Sequence, residues 1–219
     1  MIPNGKKTAS RPYDTPLSQK GIKQAEVTAR FLEREKIDVI FSSPFYRALE
    51  TACIIADRLH KKVNVEWGFC EWLNPNWFDK FPVLMSTEEA SEVFPLINKE
   101  YISYTIPAYP EIDREVHVYE RVKSTLMKIQ EYYSGSILIV GHGASVRQAA
   151  RVLTVSPQEI STDMCAVNKL VNKNNKWILE YVENPLTSNM VISLRRKIYS
   201  YKAIKYVMTN TGRVGAYLK

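Results

Sequence analysis

Residues 135–148, GSILIVGHGASVRQ, carry an apolar run, Ile137 to Val140, into a histidine flanked by two glycines and then into the opening of a helix. A short β-branched run bounded by glycine has the length and content of a buried strand. The passage from strand through a tight turn to a helix is the junction at which open α/β sheets place their sites, because the helix N-terminus offers free N–H groups and positive potential. The flanking glycines predict a sharp turn with room beside the imidazole. For His142 the residues leave three readings open: a donor to a phosphoryl oxygen, a proton relay, or a ring merely hydrogen-bonded at a strand end.

Upstream, the same order recurs. Leu17-Ser18 opens a helix whose apolar residues Ile22, Ala25, Ala29 and Leu32 fall three or four apart, with Ser18 as N-cap. IDVIFSS, residues 37–43, predicts a buried strand, and Ser43 and Pro44 predict the cap and first turn of a helix carrying Ala48, Leu49, Ala52, Ile55, Ala56 and Leu59. KVNVEW, residues 62–67, predicts another strand. Residues 72–113, with Trp72, Trp77, five prolines and a capping-box match at Ser86 to Glu89, predict an inserted cap over one end of the sheet. A helix over 115–133 presents Val118, Val122, Leu126 and Ile129 on one face. Downstream, Ser156-Pro157-Gln158-Glu159 is a second capping box, and CAVNKLVN and KWILEYV around Lys173-Asn174-Asn175 predict a closing hairpin. Strand and helix periods alternate throughout, which is the α/β class with a mostly parallel sheet.

At 219 residues with 45% apolar composition the chain has ample material for a core. Cys53, Cys70 and Cys165 are odd in number and widely spaced, which predicts neither a disulfide framework nor a zinc site, and with no apolar leader near Met1 a cytoplasmic setting follows. The net charge of +7 is concentrated: residues 189–219 hold Arg195, Arg196, Lys197, Lys202, Lys205, Arg213 and Lys219 and no acid, leaving 23 basic and 23 acidic residues elsewhere. A nucleic-acid binder would spread such charge over its folded body, so no nucleic-acid partner is expected. Leu194, Ile198, Tyr201 and Ile204 among those cations fit either a solvated extension or a basic amphipathic helix against an anionic membrane, the extension being favoured.

Two further residues stand at chemically suggestive places. Arg47 falls in the first turn of a helix, where the dipole prefers acids, and a bound phosphate between it and the turn would resolve that conflict; a solvated surface arginine is the plainer reading. Glu71, in FCEWLNPNW, is fenced by Phe69, Trp72 and Trp77, and a dehydrated carboxylate has a raised pKa suited to a general acid. An exposed loop glutamate is again the plainer alternative. His60 and His117 lie on a charged helix end and a helix start, and both read as surface residues.

YDTPLSQKGIKQA (13–25), FSSPFYRALETA (41–52), CEW (70–72) and LIVGHGAS (138–145), in this order and spacing, resemble the histidine phosphatase superfamily, the phosphoglycerate-mutase-like fold. FCEW followed by LMSTEEA resembles the branch of the suppressor of T-cell receptor signalling and ecdysteroid-phosphate phosphatases. The resemblance implies a three-layer sandwich over residues 1–188 and hydrolysis of a phosphomonoester through phosphohistidine, without cofactor or metal. It implies that Arg47 and His142 bind the phosphoryl group, that His142 is the second histidine, and that Glu71 protonates the leaving oxygen. Ser42 and Ser43 match strand-end serines expected to shape the turn more than to touch phosphate. The implied substrates are phosphotyrosine proteins or small hydrophobic phosphate esters, to which Trp67, Trp72, Trp77, Phe78 and Phe81 would offer an apolar wall unless they are simply core; a homodimer is compatible with this reading.

The family's Arg-His-Gly motif, at the end of a central first strand, has no counterpart before Tyr13, since MIPNGKKTASRP holds no histidine. The resemblance therefore predicts a sheet lacking that strand and an inactive chain. Either the sequence is a truncated copy of an active phosphatase, favoured because the other pocket residues remain, or it is a pseudophosphatase serving as a phosphate-binding or protein-interaction module.

Overall fold

The structure, a computed structural model, describes residues 11–154 and 159–187 in full and residues 203–209 as backbone. Helix α1 (Gln19–Leu32) is capped as predicted, the Ser18 hydroxyl accepting from the Gly21 N–H at 3.1 Å, and it buries Ala25, Ala29 and Leu32. Strand β1 (Val39–Ser42) leads to α2 (Tyr46–Leu59), which buries Ala48, Leu49, Ala52, Ile55 and Ala56. After β2 (Val63–Val65) the chain enters the 72–113 region, whose single helix among the described residues, α3 (Thr87–Val93), starts with the predicted reciprocal capping box between Ser86 and Glu89. Then follow α4 (Tyr119–Tyr132), β3 (Gly135–Gly141) and α5 (Gly143–Leu153). The hairpin β4 (Val167–Lys173) and β5 (Lys176–Glu183) turns on Asn174 and Asn175, both at positive φ, the conformation that asparagine tolerates best after glycine. The capping box at 156–159 falls largely outside the described residues.

The strands form one six-stranded sheet in the order β2-β1-β3-β6-β4-β5, where β6 is Ala203–Thr209. β2, β1, β3 and β6 run parallel, and β4 is antiparallel to both of its neighbours. Alternation along β3 makes the sandwich: Leu138 and Val140 point into a core with α1 and α2, while Ile137 and Ile139 point into a second core with α4 and α5. Each such aliphatic side chain, fully buried, contributes about 1.5–3 kcal/mol. No helix among the described residues is long and apolar enough to cross a membrane.

Two expectations about the C-terminal region change. The sheet, expected to lack a central strand, has β6 in the central place between β3 and β4. Ile204, read as part of a helix or solvated extension, lies in that strand, while Leu194, Ile198 and Tyr201 lie outside the described residues. The reason is backbone pairing. β3 and β4 each present a row of donors and acceptors to the place between them, and AIKYVMT, rich in β-formers, satisfies both rows at once.

Residue Glu66 ties the stretch 101–105 to the end of β2. Its fully buried carboxylate accepts from the Tyr101 hydroxyl at 2.5 Å, the Ser103 hydroxyl at 2.7 Å, and the Gly68 and Tyr104 N–H groups at 2.9 Å. With the Thr105 N–H at 3.3 Å, five donors spread its charge, as a buried carboxylate requires.

Candidate active site

Both strand-to-helix junctions end at the same edge of the sheet, because β1 and β3 are parallel neighbours with Ser42 paired to Val140. At the first junction the predicted cap is not made. α2 begins at Tyr46 behind Phe45, which has no side-chain cap bond, and Pro44 precedes the helix. Instead Asp14 reaches in from the N-terminal segment, its Oδ1 accepting from the Tyr46 N–H at 2.6 Å. That carboxylate supplies the acid the helix dipole favours. The Ser43 hydroxyl accepts from the Phe45 N–H at 3.4 Å and lies 2.7 Å from Nε2 of His142, so Ser43 does more than shape its turn.

Arg47 is 2% exposed, which removes the surface reading, and its guanidinium lies over the Phe45 ring at 4.5 Å. At the second junction His142 is the N-cap of α5. Its backbone N–H donates to the Ser145 hydroxyl at 2.9 Å, and its ring meets the edge of Phe45 at a centroid distance of 5.1 Å. The glycines beside it do not turn through the left-handed region; among the described glycines only Gly135 has positive φ. Gly141 is instead required by close approach, since a Cβ there would stand 2.7 Å from the Ser145 hydroxyl oxygen.

The three predicted site residues converge. Arg47 Nη2 is 3.2 Å from His142 Nδ1, Glu71 Oε2 is 3.3 Å from the same nitrogen, and Arg47 and Glu71 are 3.6 Å apart. All three are buried, and Glu71 also accepts the Trp72 N–H at 2.9 Å. Two buried polar atoms at this place have no protein partner, Nε of Arg47 and Oδ2 of Asp14. His60 and His117 are exposed on other elements, as predicted.

The electrostatics depart from the sequence expectation at Glu71. Burial by itself would raise its pKa, but the His142 imidazole, then Arg47 and the Trp72 N–H, outweigh it and bring the carboxyl down to about 2. The aromatic fence predicted a raised value; the His142 imidazole and the Arg47 guanidinium, distant from Glu71 in the linear sequence, reverse the sign. Burial lowers the pKa of His142, opposed by Glu71 and aided by Arg47. Burial raises Asp14 to about 6 despite the Tyr46 N–H and the nearby arginines.

A buried ion pair fixes the segment that carries Glu71. Arg121 grips both oxygens of Glu111, Nε at 2.6 Å and Nη2 at 2.9 Å, and its Nη1 donates to the Gly68 carbonyl at 2.8 Å and the Cys70 carbonyl at 3.2 Å. Nη2 also reaches the Glu71 carbonyl at 3.3 Å, while Glu111 accepts from the Leu73 N–H at 2.9 Å. Sequence reasoning missed Asp14, Arg121 and Glu111. The signal for Arg121 was present: it sits on the apolar face of α4 beside Val118, Val122 and Thr125, where a solvated arginine has no place.

The predicted aromatic wall divides. Phe78 is core, packed with Phe45, Cys70 and Leu73, Trp67 stacks on Phe81, and Trp77 is 46% exposed with its ring against Trp72.

Residues 3–185 match the histidine phosphatase superfamily, branch 1. The transcription factor tau 55 kDa subunit of Saccharomyces cerevisiae is 33% identical over 141 residues, covering 60% of this chain and 32% of the yeast protein. Phosphoserine phosphatase 1 of Hydrogenobacter thermophilus is 30% identical over 138 residues, 61% of this chain and 62% of that one. The chain thus spans less than two thirds of the length of either relative. The crystal structure of the ecdysone phosphate phosphatase from Bombix mori, in complex with tungstate, matches with a TM-score of 0.55 at 21% identity, over 69% of this chain and 61% of that one. Likeness at that identity shows a shared fold, the phosphoglycerate-mutase-like sandwich.

Proposed function

Taking as premise that the chain belongs to branch 1 of the histidine phosphatase superfamily, we propose that the pocket formed by Arg47, His142 and Glu71 binds the phosphoryl group of a phosphomonoester. The observation that carries this reading is the convergence of a buried guanidinium and a buried imidazole, 3.2 Å apart, at the carboxyl ends of parallel strands. Two donors facing one point suit the oxygens of a phosphoryl group. Glu71 now faces both groups, its Oε2 lying 3.3 Å from His142 Nδ1 and 3.6 Å from Arg47 Nη2. An incoming dianion would take them over, remove the positive charge that depresses the Glu71 pKa, and return the carboxyl toward the protonated form in which it donates to a leaving oxygen.

The substrate class proposed is a phosphotyrosine protein or a small hydrophobic phosphate ester, with the half-exposed Trp77 and its partner Trp72 as the surface nearest Glu71 in sequence. The relatives named as acting on phosphoserine and ecdysone phosphate support a small ester. Free thiols at Cys53, Cys70 and Cys165 support the cytoplasmic setting.

Within these 219 residues the histidines are His60, His117 and His142, and the first two are exposed on other elements. That observation favours a second reading for the chain as it stands, a phosphate-binding or protein-interaction module without efficient turnover. Calorimetric titration with orthovanadate, beside an aryl-phosphatase assay, tests both. Arg47→Ala should weaken vanadate binding at least tenfold, with negligible turnover in the parent chain. Unchanged binding in Arg47→Ala would remove the pocket, and robust turnover lost in His142→Ala would make His142 the attacking group.

A further inference from the structure

The place between β3 and β4 carries an inference that the phosphatase pocket does not require. We propose that it is a strand-binding groove whose occupant, the chain's own C-terminal segment Ala203–Thr209, is held by backbone pairing and not by its covalent tether. The pairing is continuous on both sides. β6 is in parallel register with β3 from Gly135 opposite Ala203 to Gly141 opposite Thr209, and in antiparallel register with β4 from Val171 opposite Ile204 to Val167 opposite Met208. Removing it would leave two facing rows of unpaired donors and acceptors in the centre of the sheet.

The tether is long for the distance it covers. β5 and β6 are both antiparallel to β4 and hence parallel to each other, so the chain leaving Glu183 must travel back by one strand length, about 23 Å at 3.3 Å per residue. Residues 184–202 are available for that return, and an extended chain of this size spans about 60 Å. A link of that length does not by itself dictate the register, which the groove must then supply.

The groove also bears on the site. β3 has β1 on one side, whose end delivers Ser42 and Ser43, so a residue brought beside His142 by an adjacent strand has to come from the other side, the place of β6. β6 ends level with Gly141, one residue before His142, yet residues 189–219 contain no histidine. The C-terminal strand therefore closes the sheet while bringing no attacking imidazole to it. This last point rests on the phosphatase reading; the occupancy of the groove does not.

Cysteine pairs in the full chain test the register. Ser136→Cys with Ile204→Cys should oxidise to an intrachain disulfide, whereas Ser136→Cys with Thr209→Cys, five residues out of register, should not. Failure of the first pair, or equal yield from both, overturns the proposal. A chain ending at residue 187 should melt about 10 °C or more below the full chain, and a synthetic peptide of residues 199–213 should restore the melt saturably, while the same peptide with Lys205→Pro should not. A truncated chain as stable as the parent, or one that folds and ignores the peptide, overturns it. If the truncated chain does not fold, the cysteine pairs decide. None of these readouts depends on activity, so they stand or fall apart from the phosphatase reading.

Discussion

The Ser43 hydroxyl and Nε2 of His142 lie 2.7 Å apart although the residues are separated by 99 positions in the chain. The contact joins the ends of two adjacent parallel strands and holds the imidazole from the side opposite Arg47 and Glu71. Ser43→Ala should leave the fold within about 1.5 kcal/mol of the parent, the usual range for one neutral hydrogen bond. The unanchored ring should weaken orthovanadate binding about tenfold or less, read by calorimetry. A loss as large as that of Arg47→Ala would mean that Ser43 contacts the anion itself.

Burial depresses the His142 pKa and Glu71 partly restores it. The imidazole should therefore titrate below the ordinary histidine value by NMR. Glu71→Gln removes the carboxylate that favours the imidazolium and should lower the midpoint further. An upward shift in Glu71→Gln would contradict the assigned coupling.

Asp14 carries the opposite sign from the usual carboxylate. Its folded pKa is raised from 3.8 to about 6, so the native state binds the extra proton between those values and stability falls as pH rises through that window. Asp14→Asn keeps an oxygen for the Tyr46 N–H and removes the buried charge. It should stabilise the chain at pH 7 by about 1–2 kcal/mol, and the gain should vanish below about pH 4, where the parent carboxyl is neutral in both states. Denaturant melts at the two pH values check it.

The pair of Arg121 and Glu111 is 4% exposed on each side chain. Arg121→Met leaves the Glu111 carboxylate buried without its cation and should cost about 3–5 kcal/mol in urea unfolding. The double change Arg121→Met with Glu111→Gln should cost distinctly less than the sum of the single changes. In the folded variants, vanadate affinity should fall with Glu71 no longer held from behind. Additive costs would mean that the pair is not coupled.

Gly68 is a steric requirement of the same segment, since a Cβ there would stand 2.0 Å from the Thr125 hydroxyl oxygen and 2.8 Å from its Cβ. Gly68→Ala should destabilise by about 1–3 kcal/mol as α4 is pushed off the sheet, measurable as a lowered urea midpoint.

Much of this molecule was decided locally. The alternation in SILIV, the three-and-four spacing through Ala48 to Leu59, and the capping box at Ser86 and Glu89 fix strands and helices, because side-chain period and terminal hydrogen bonding act over a few residues. The motif order likewise brought Arg47, Glu71 and His142 into one reading, and they do converge. Tertiary structure decided what depends on neighbours distant in the chain. It set the sign of the Glu71 pKa, which follows from His142 and Arg47 across the fold and not from the adjacent tryptophans. It replaced Ser43 by Asp14 as the acceptor at the start of α2, and turned Ser43 onto a ring 99 residues away. It also put Ala203–Thr209 in the middle of the sheet, where two backbone edges outweigh any local preference of a basic segment. Local periodicity determines which elements form; Coulomb interactions and backbone pairing across long separations determine what those elements hold between them.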